Sequence, residues 1–107
     1  MTTIATDQPV VTLINTFTVA PERQGELIRL LVEATEQVMR HRPGFVSANI
    51  HRGLEGTRVA NYAQWRSRED FEAMLRDPAA QMHMREAAAI ASFDPLLYEV
   101  ADTFHAE

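Results

Sequence analysis

One stretch, VVTLINTFTV from Val10 to Val19, narrows the possible folds more than any other. Val11, Leu13, Asn15, Phe17 and Val19 fall on one face, and Thr12, Ile14, Thr16 and Thr18 on the other, because successive side chains of a strand point to opposite sides. Straight afterwards the period changes. In PERQGELIRLLVEATEQVMRHRPG, Leu27, Leu30, Leu31, Ala34 and Val38 recur at helical spacing and form one apolar stripe. Pro21 and Glu22 suit a first helical turn. Arg40, His41 and Arg42 suit the last, and Pro43-Gly44 stops the helix. A half-buried strand feeding an amphipathic helix calls for a sheet with helices against one side.

The rest of the chain continues that plan. FVSANIHRG (Phe45 to Gly53) reads as a second strand, LEGT as a turn around Gly56, and RVANYAQW as a third strand closing a hairpin. Ser67 opens SRED, a capping-box variant with Asp70 three residues on. The helix from Arg68 turns Phe71, Met74 and Leu75 inward. At DPAAQ, Asp77 caps and Pro78 restarts the helix, and a second piece is predicted from about Ala79 to Ala91. FDPLLYEVADTF holds a fourth strand, delayed by Pro95.

The order β-α-β-β-α-β predicts a ferredoxin-like α+β sandwich: a four-stranded antiparallel sheet with two helices on one face. Residues 10–104 form the single domain, 1–9 a flexible N-terminal tail and 105–107 a C-terminal tail. The second sheet face, with Ile14, the threonines of the first strand and Tyr62, is too apolar to stay bare. A homodimer packed sheet on sheet through that open face is expected.

Composition excludes several functions. With 107 residues and a net charge of −5, the chain fits one domain and offers nucleic acid no concentrated basic patch. It has no cysteine, hence no disulfide frame or thiolate site. No apolar run nears the roughly 18 residues of a membrane span, and the N-terminus lacks a signal-peptide pattern; a cytoplasmic location is expected. His41, His51, His83 and His105 show no metal-binding spacing. Phosphate-loop and dinucleotide fingerprints are absent, so no tightly bound cofactor is expected.

Some residues sit oddly in this plan. Asn15 interrupts an apolar face, and an unpartnered buried carboxamide costs about 1–3 kcal/mol. Asn61 and Trp65 share one side of the third strand, roughly 13 Å apart. Asn15 can instead bond a neighbour, and Trp65 can simply plug the gap between sheet and helix. Phe71, Met74, Met82 and Met84 read as core or as the wall of an adaptable pocket. Arg85 either snorkels to water or holds an anionic oxygen, and His83 reads first as a structural histidine.

Taken in order, INTFTVAPERQGELIRLL, RPGFVSANIHR and NYAQWRSREDFEAML resemble the antibiotic biosynthesis monooxygenase (ABM) family of the dimeric α+β barrel proteins, over about residues 10 to 104. The closest-looking branch is the small cofactor-independent oxygenases that convert anthrone-type polyketides to quinones with O₂ as co-substrate. That resemblance implies catalytic roles for Asn15, Trp65 and Arg85. It places Asn61, Phe71, Met74, Met82 and His83 against a small aromatic substrate. Phe71 stands where some members have tyrosine. No strong base stands out, so the proton is assigned to water or a polar side chain. A haem-degrading branch is the alternative. It needs a tryptophan where Met74 stands and a histidine ligand near His83. A non-catalytic small-molecule-binding or stress protein of the same fold is the third reading.

Overall fold

The computed structural model describes residues 1–107. Its elements are β1 (Val11–Val19), α1 (Gln24–Gln37), β2 (Phe45–Arg52), β3 (Arg58–Trp65), α2 (Arg68–Leu75), α3 (Pro78–Ala88) and β4 (Ala91–Tyr98). The strands lie in the order β2-β3-β1-β4, with every neighbouring pair antiparallel. This is the expected ferredoxin-like α+β fold, with the second helix in two pieces. No helix is long and apolar enough to cross a membrane.

Local chemistry explains most boundaries. Ser67 Oγ accepts from the Asp70 N–H at 3.1 Å and donates to Asp70 Oδ2 at 3.0 Å, a reciprocal cap on α2. Asp77 accepts from the Ala79 N–H at 3.1 Å, and Pro78 occupies the first turn of α3. Gly44 turns the chain into β2 with φ +85°, and a Cβ there would collide with the Asp70 side chain. Gln24 begins α1 and donates from Nε2 to the carbonyls of Gly53 and Arg58, both at 3.0 Å. It thereby ties α1 to the base of the β2–β3 hairpin.

Two boundaries differ from the sequence expectation. The α-helix of α1 stops at Gln37, and Met39–His41 form a separate 3-10 turn. Val38 leaves helical geometry at φ −126°, ψ −64°, and Arg42, held extended before Pro43, cannot continue it. The basic residues Arg40 and His41 therefore lie beyond the α-helix. The second difference is at the end of the chain. α3 closes at Ala88, and β4 runs from Ala91 to Tyr98 instead of starting late and reaching Phe104. Pro95 sits inside it, opposite Asn15. β4 is an edge strand, where a missing N–H breaks no ladder on the open side.

Helices cover one face of the sheet, and the buried apolar residues there form two clusters. One contains Leu13, Ala63, Trp65, Phe71, Met74 and Ala80; the other contains Phe17, Val19, Leu27, Val59 and Ala87. On the outer face the first residues of the chain cross β2 and β3. Gln64 Nε2 donates to the Thr3 carbonyl at 2.6 Å, and Asn49 donates to the Thr2 hydroxyl. Gln64 is fully buried as a result. The β1–β4 half of that face stays open, with Leu96 and Tyr98 exposed.

Gly44→Ala forces an L-residue into positive φ against Asp70 and should lower stability by about 1–3 kcal/mol. A urea-unfolding midpoint that moves down with an unchanged slope is the expected result; an unchanged midpoint contradicts this account of the turn.

Candidate active site

Between the helices and the inner sheet face lies a cavity that opens to solvent. The space open to the centre of a water molecule is about 120 Å³, and the non-atom volume between the walls, mouth included, is about 810 Å³. The second figure includes open solvent, and by the first the cavity is tighter than the roughly 300–1,000 Å³ of ordinary small-molecule sites. The floor is Leu13, Asn15 and Phe17 from β1, Asn61, Ala63 and Trp65 from β3, and Ala48 and Phe45 from β2. Leu31, Ala34, Thr35 and Met39 form one wall, and Phe71, Met74, His83, Met84 and Ala87 another. Phe93 and Pro95 of β4 complete it.

Small residues make the room. Ala48 pairs across the sheet with Ala63, and Ala34 and Ala87 face them from the helices. None of these side chains can reach across the gap. The aromatic wall beside them is firmly packed. Trp65 is buried at 2% exposure, its ring 5.5 Å from Phe45 and 6.1 Å from Phe71, both edge-on. Phe17 and Phe93 meet at 5.5 Å at the other end. Such contacts fix ring positions as well as burying area.

In the middle stand Asn15 and Asn61, directly opposite one another on β1 and β3. Both line the cavity, and both carboxamide oxygens are buried with no hydrogen-bond partner. Buried polar atoms are rarely left this way, and here two stand on facing residues of neighbouring strands. A half-turn of an amide exchanges oxygen and nitrogen, so the pair can offer a ligand acceptors or donors. Thr35 contributes less, since its hydroxyl donates to the Leu31 carbonyl at 2.8 Å.

The structure thus brings Asn15, Asn61, Trp65, Phe71, Met74 and His83 to one chamber. It does not bring Met82 or Arg85 there. Ala80, His83, Met84 and Ala87 form the inward stripe of α3, which leaves Met82, at 60% exposure, and exposed Arg85 on the outside. The expectation that Arg85 holds an anionic oxygen inside the cavity is therefore corrected by helix phase. His83 is partly shielded, its side chain 16% exposed, with Nδ1 4.0 Å from Glu86 Oε1. Phe45, Met39, Phe93 and Pro95 line the chamber without having been expected to. The signal for Phe93 and Pro95 was their place two apart on a strand, hidden by the misjudged start of β4.

The fold and this chamber define a small α+β protein with one largely apolar cavity that carries two facing carboxamides. Its sequence relatives narrow that class. The sequence model of the family described as antibiotic biosynthesis monooxygenase matches residues 10–86, and the chain belongs to that family. It is 46% identical to a tetracenomycin-F1 monooxygenase of Streptomyces glaucescens over 106 residues, 99% of this chain and 95% of that protein. The chain is a monooxygenase. Among solved structures it is similar to a monooxygenase from ActVA-Orf6 of Streptomyces coelicolor, in complex with nanaomycin D. That similarity has a TM-score of 0.81 and 24% identity, covering 91% of this chain and 92% of that one. SnoaB, a cofactor-independent oxygenase from Streptomyces nogalater, aligns with a TM-score of 0.71 at 24% identity, covering 90% and 97%. At these identities the two structures speak to the fold.

If the two carboxamides are held unpaired for a ligand, filling the place with carbon should stabilise the free protein. Asn15→Leu is expected to raise the unfolding free energy by about 1–3 kcal/mol while abolishing binding of a hydroxylated anthraquinone, followed by tryptophan fluorescence. A loss of stability would mean the carboxamide was already satisfied.

Proposed function

We propose that the protein is a cofactor-independent monooxygenase that oxidises a polycyclic aromatic phenol of the anthrone type to a quinone, with O₂ as its only co-substrate. The observation that carries this reading is the pair of unpartnered carboxamides, Asn15 and Asn61, set in an otherwise apolar and aromatic chamber. The tetracenomycin-F1 monooxygenase relative supports a polyketide substrate. The nanaomycin D complex supports an aromatic occupant for this type of cavity, and SnoaB supports chemistry without a cofactor.

The chemistry follows from the substrate. The methylene carbon of an anthrone loses a proton to give an anion delocalised over the rings and the ketone oxygen. That anion passes one electron to O₂, and the radical and superoxide combine to a carbon-bound peroxide. Loss of water leaves the quinone carbonyl. In sum, one CH₂ and one O₂ give one C=O and one H₂O. The flat rings lie against the wall that Trp65, Phe71 and Met74 form together. With their amides turned to donate, Asn15 and Asn61 stabilise the negative oxygen, and Trp65 lines the same floor. Donors fixed beforehand in a dry chamber act far more strongly than the same groups in water.

We place a homodimer contact on the open half of the outer sheet face. Ile14, Leu96 and Tyr98 offer the apolar surface there, beside the part already covered by the N-terminal residues.

Protein treated with a chelator should consume one O₂ per quinone formed, and labelled O₂ should leave one atom in the quinone and one in water. Failure of metal-free protein to turn over any hydroxylated anthrone would remove this reading. Asn15→Ala and Trp65→Phe should each lower kcat by about 100-fold, the scale expected for loss of one oxyanion donor. Unchanged rates in both would strip these residues of their roles.

A further inference from the structure

The reaction must begin by removing a proton, and the proposed chamber holds only one group suited to take it. Among the lining side chains His83 alone carries a basic nitrogen. The rest are apolar or aromatic, apart from two carboxamides and the Thr35 hydroxyl, which already donates to Leu31. Building on the oxygenase reading above, we infer that the His83 imidazole is the catalytic base for the substrate's methylene proton.

The placement suits the task. Ala80 and Ala87, both buried, hold α3 against the sheet one turn to either side of His83. The ring's 16% exposure leaves a route by which protons exchange with solvent. Glu86, on the same helix, is the one charged group that meets the ring, with Oε1 4.0 Å from Nδ1. The elements across the chamber present only uncharged groups to it: Asn15 from β1, Thr35 from α1, Asn61 from β3, and Phe93 and Pro95 from β4. At 4.0 Å Glu86 is a charge near the ring and not a hydrogen-bond partner, so a ring nitrogen stays free to take the proton. The placement also accounts for a cavity that contains donors for an oxyanion but no carboxylate, since a second negative charge would oppose the anion that must form.

The steps balance with His83 restored. Neutral imidazole takes one methylene proton, breaking a C–H bond and leaving its electron pair on the substrate. After O₂ adds, the imidazolium returns that proton to the terminal peroxide oxygen. The imidazole then takes the second proton from the same carbon as the O–O bond breaks. The carbonyl forms, and the departing hydroxide collects that proton as water.

Anaerobic exchange isolates the first step. Wild-type protein is mixed with a dihydroxyanthrone in D₂O without oxygen, and deuterium entering the methylene carbon is followed by NMR. His83→Gln, its fold verified by circular dichroism, is expected to exchange at least 100-fold more slowly with the anthrone at saturation. Exchange by His83→Gln at the wild-type rate overturns the assignment. Wild type that exchanges normally but consumes no O₂ on admission of air contradicts the oxygenase reading and leaves the base intact.

Discussion

The structure turns on a single cross-strand pair. Asn15 and Asn61 face each other where an antiparallel sheet would ordinarily place two aliphatic side chains. On one side along the strands, Leu13, Ala63 and Trp65 belong to one packed cluster. On the other, Phe17 and Val59 belong to the second. The carboxamides mark the seam between the clusters, and the cavity opens there. Two buried oxygens without partners are a cost the fold accepts, and such costs tend to collect where a protein meets its ligand.

The flanking clusters supply what the seam gives up. Leu27 and Val59 are fully buried in one, and Trp65 nearly so in the other. Because aromatic rings brace Trp65 from two directions, the chamber wall is rigid without being filled. The alanines at 34, 48, 63 and 87 keep the centre empty. Polar and apolar demands are thus separated along the same strands. The ends of β1 and β3 stabilise the fold, and their midpoints line the cavity.

Much of this was legible in residue order. The two-residue alternation of β1 gave both the strand and the side on which Asn15 lies, and the same rule placed Asn61 and Trp65 together on β3. The capping residues Ser67 and Asp77 marked two helix starts correctly. The misreadings have physical causes. Pro95 looked like a reason to delay β4, but a proline is harmless on an edge strand, and which strand lies at the edge is a tertiary fact. On α3, alanine-rich sequence supplied a weak apolar stripe, so helix phase was poorly defined. His83 and Arg85 are two residues apart and point to different sides, and only packing against the sheet decides which enters. The cavity itself was beyond local reading, because it is the space that small residues from four elements fail to fill.

The side-chain amide resonances of the three asparagines test the central claim most directly. Asn49 lies on the outer face, bonded to Thr2 and to the Tyr62 carbonyl, and serves as an internal reference. On titration with a hydroxylated anthraquinone, the NH₂ signals of Asn15 and Asn61 should both shift and slow their exchange with water, while those of Asn49 stay in place. Binding that leaves the Asn15 and Asn61 signals unmoved would show that the ligand's polar atoms are held elsewhere, and the pair would lose its place at the centre of this account.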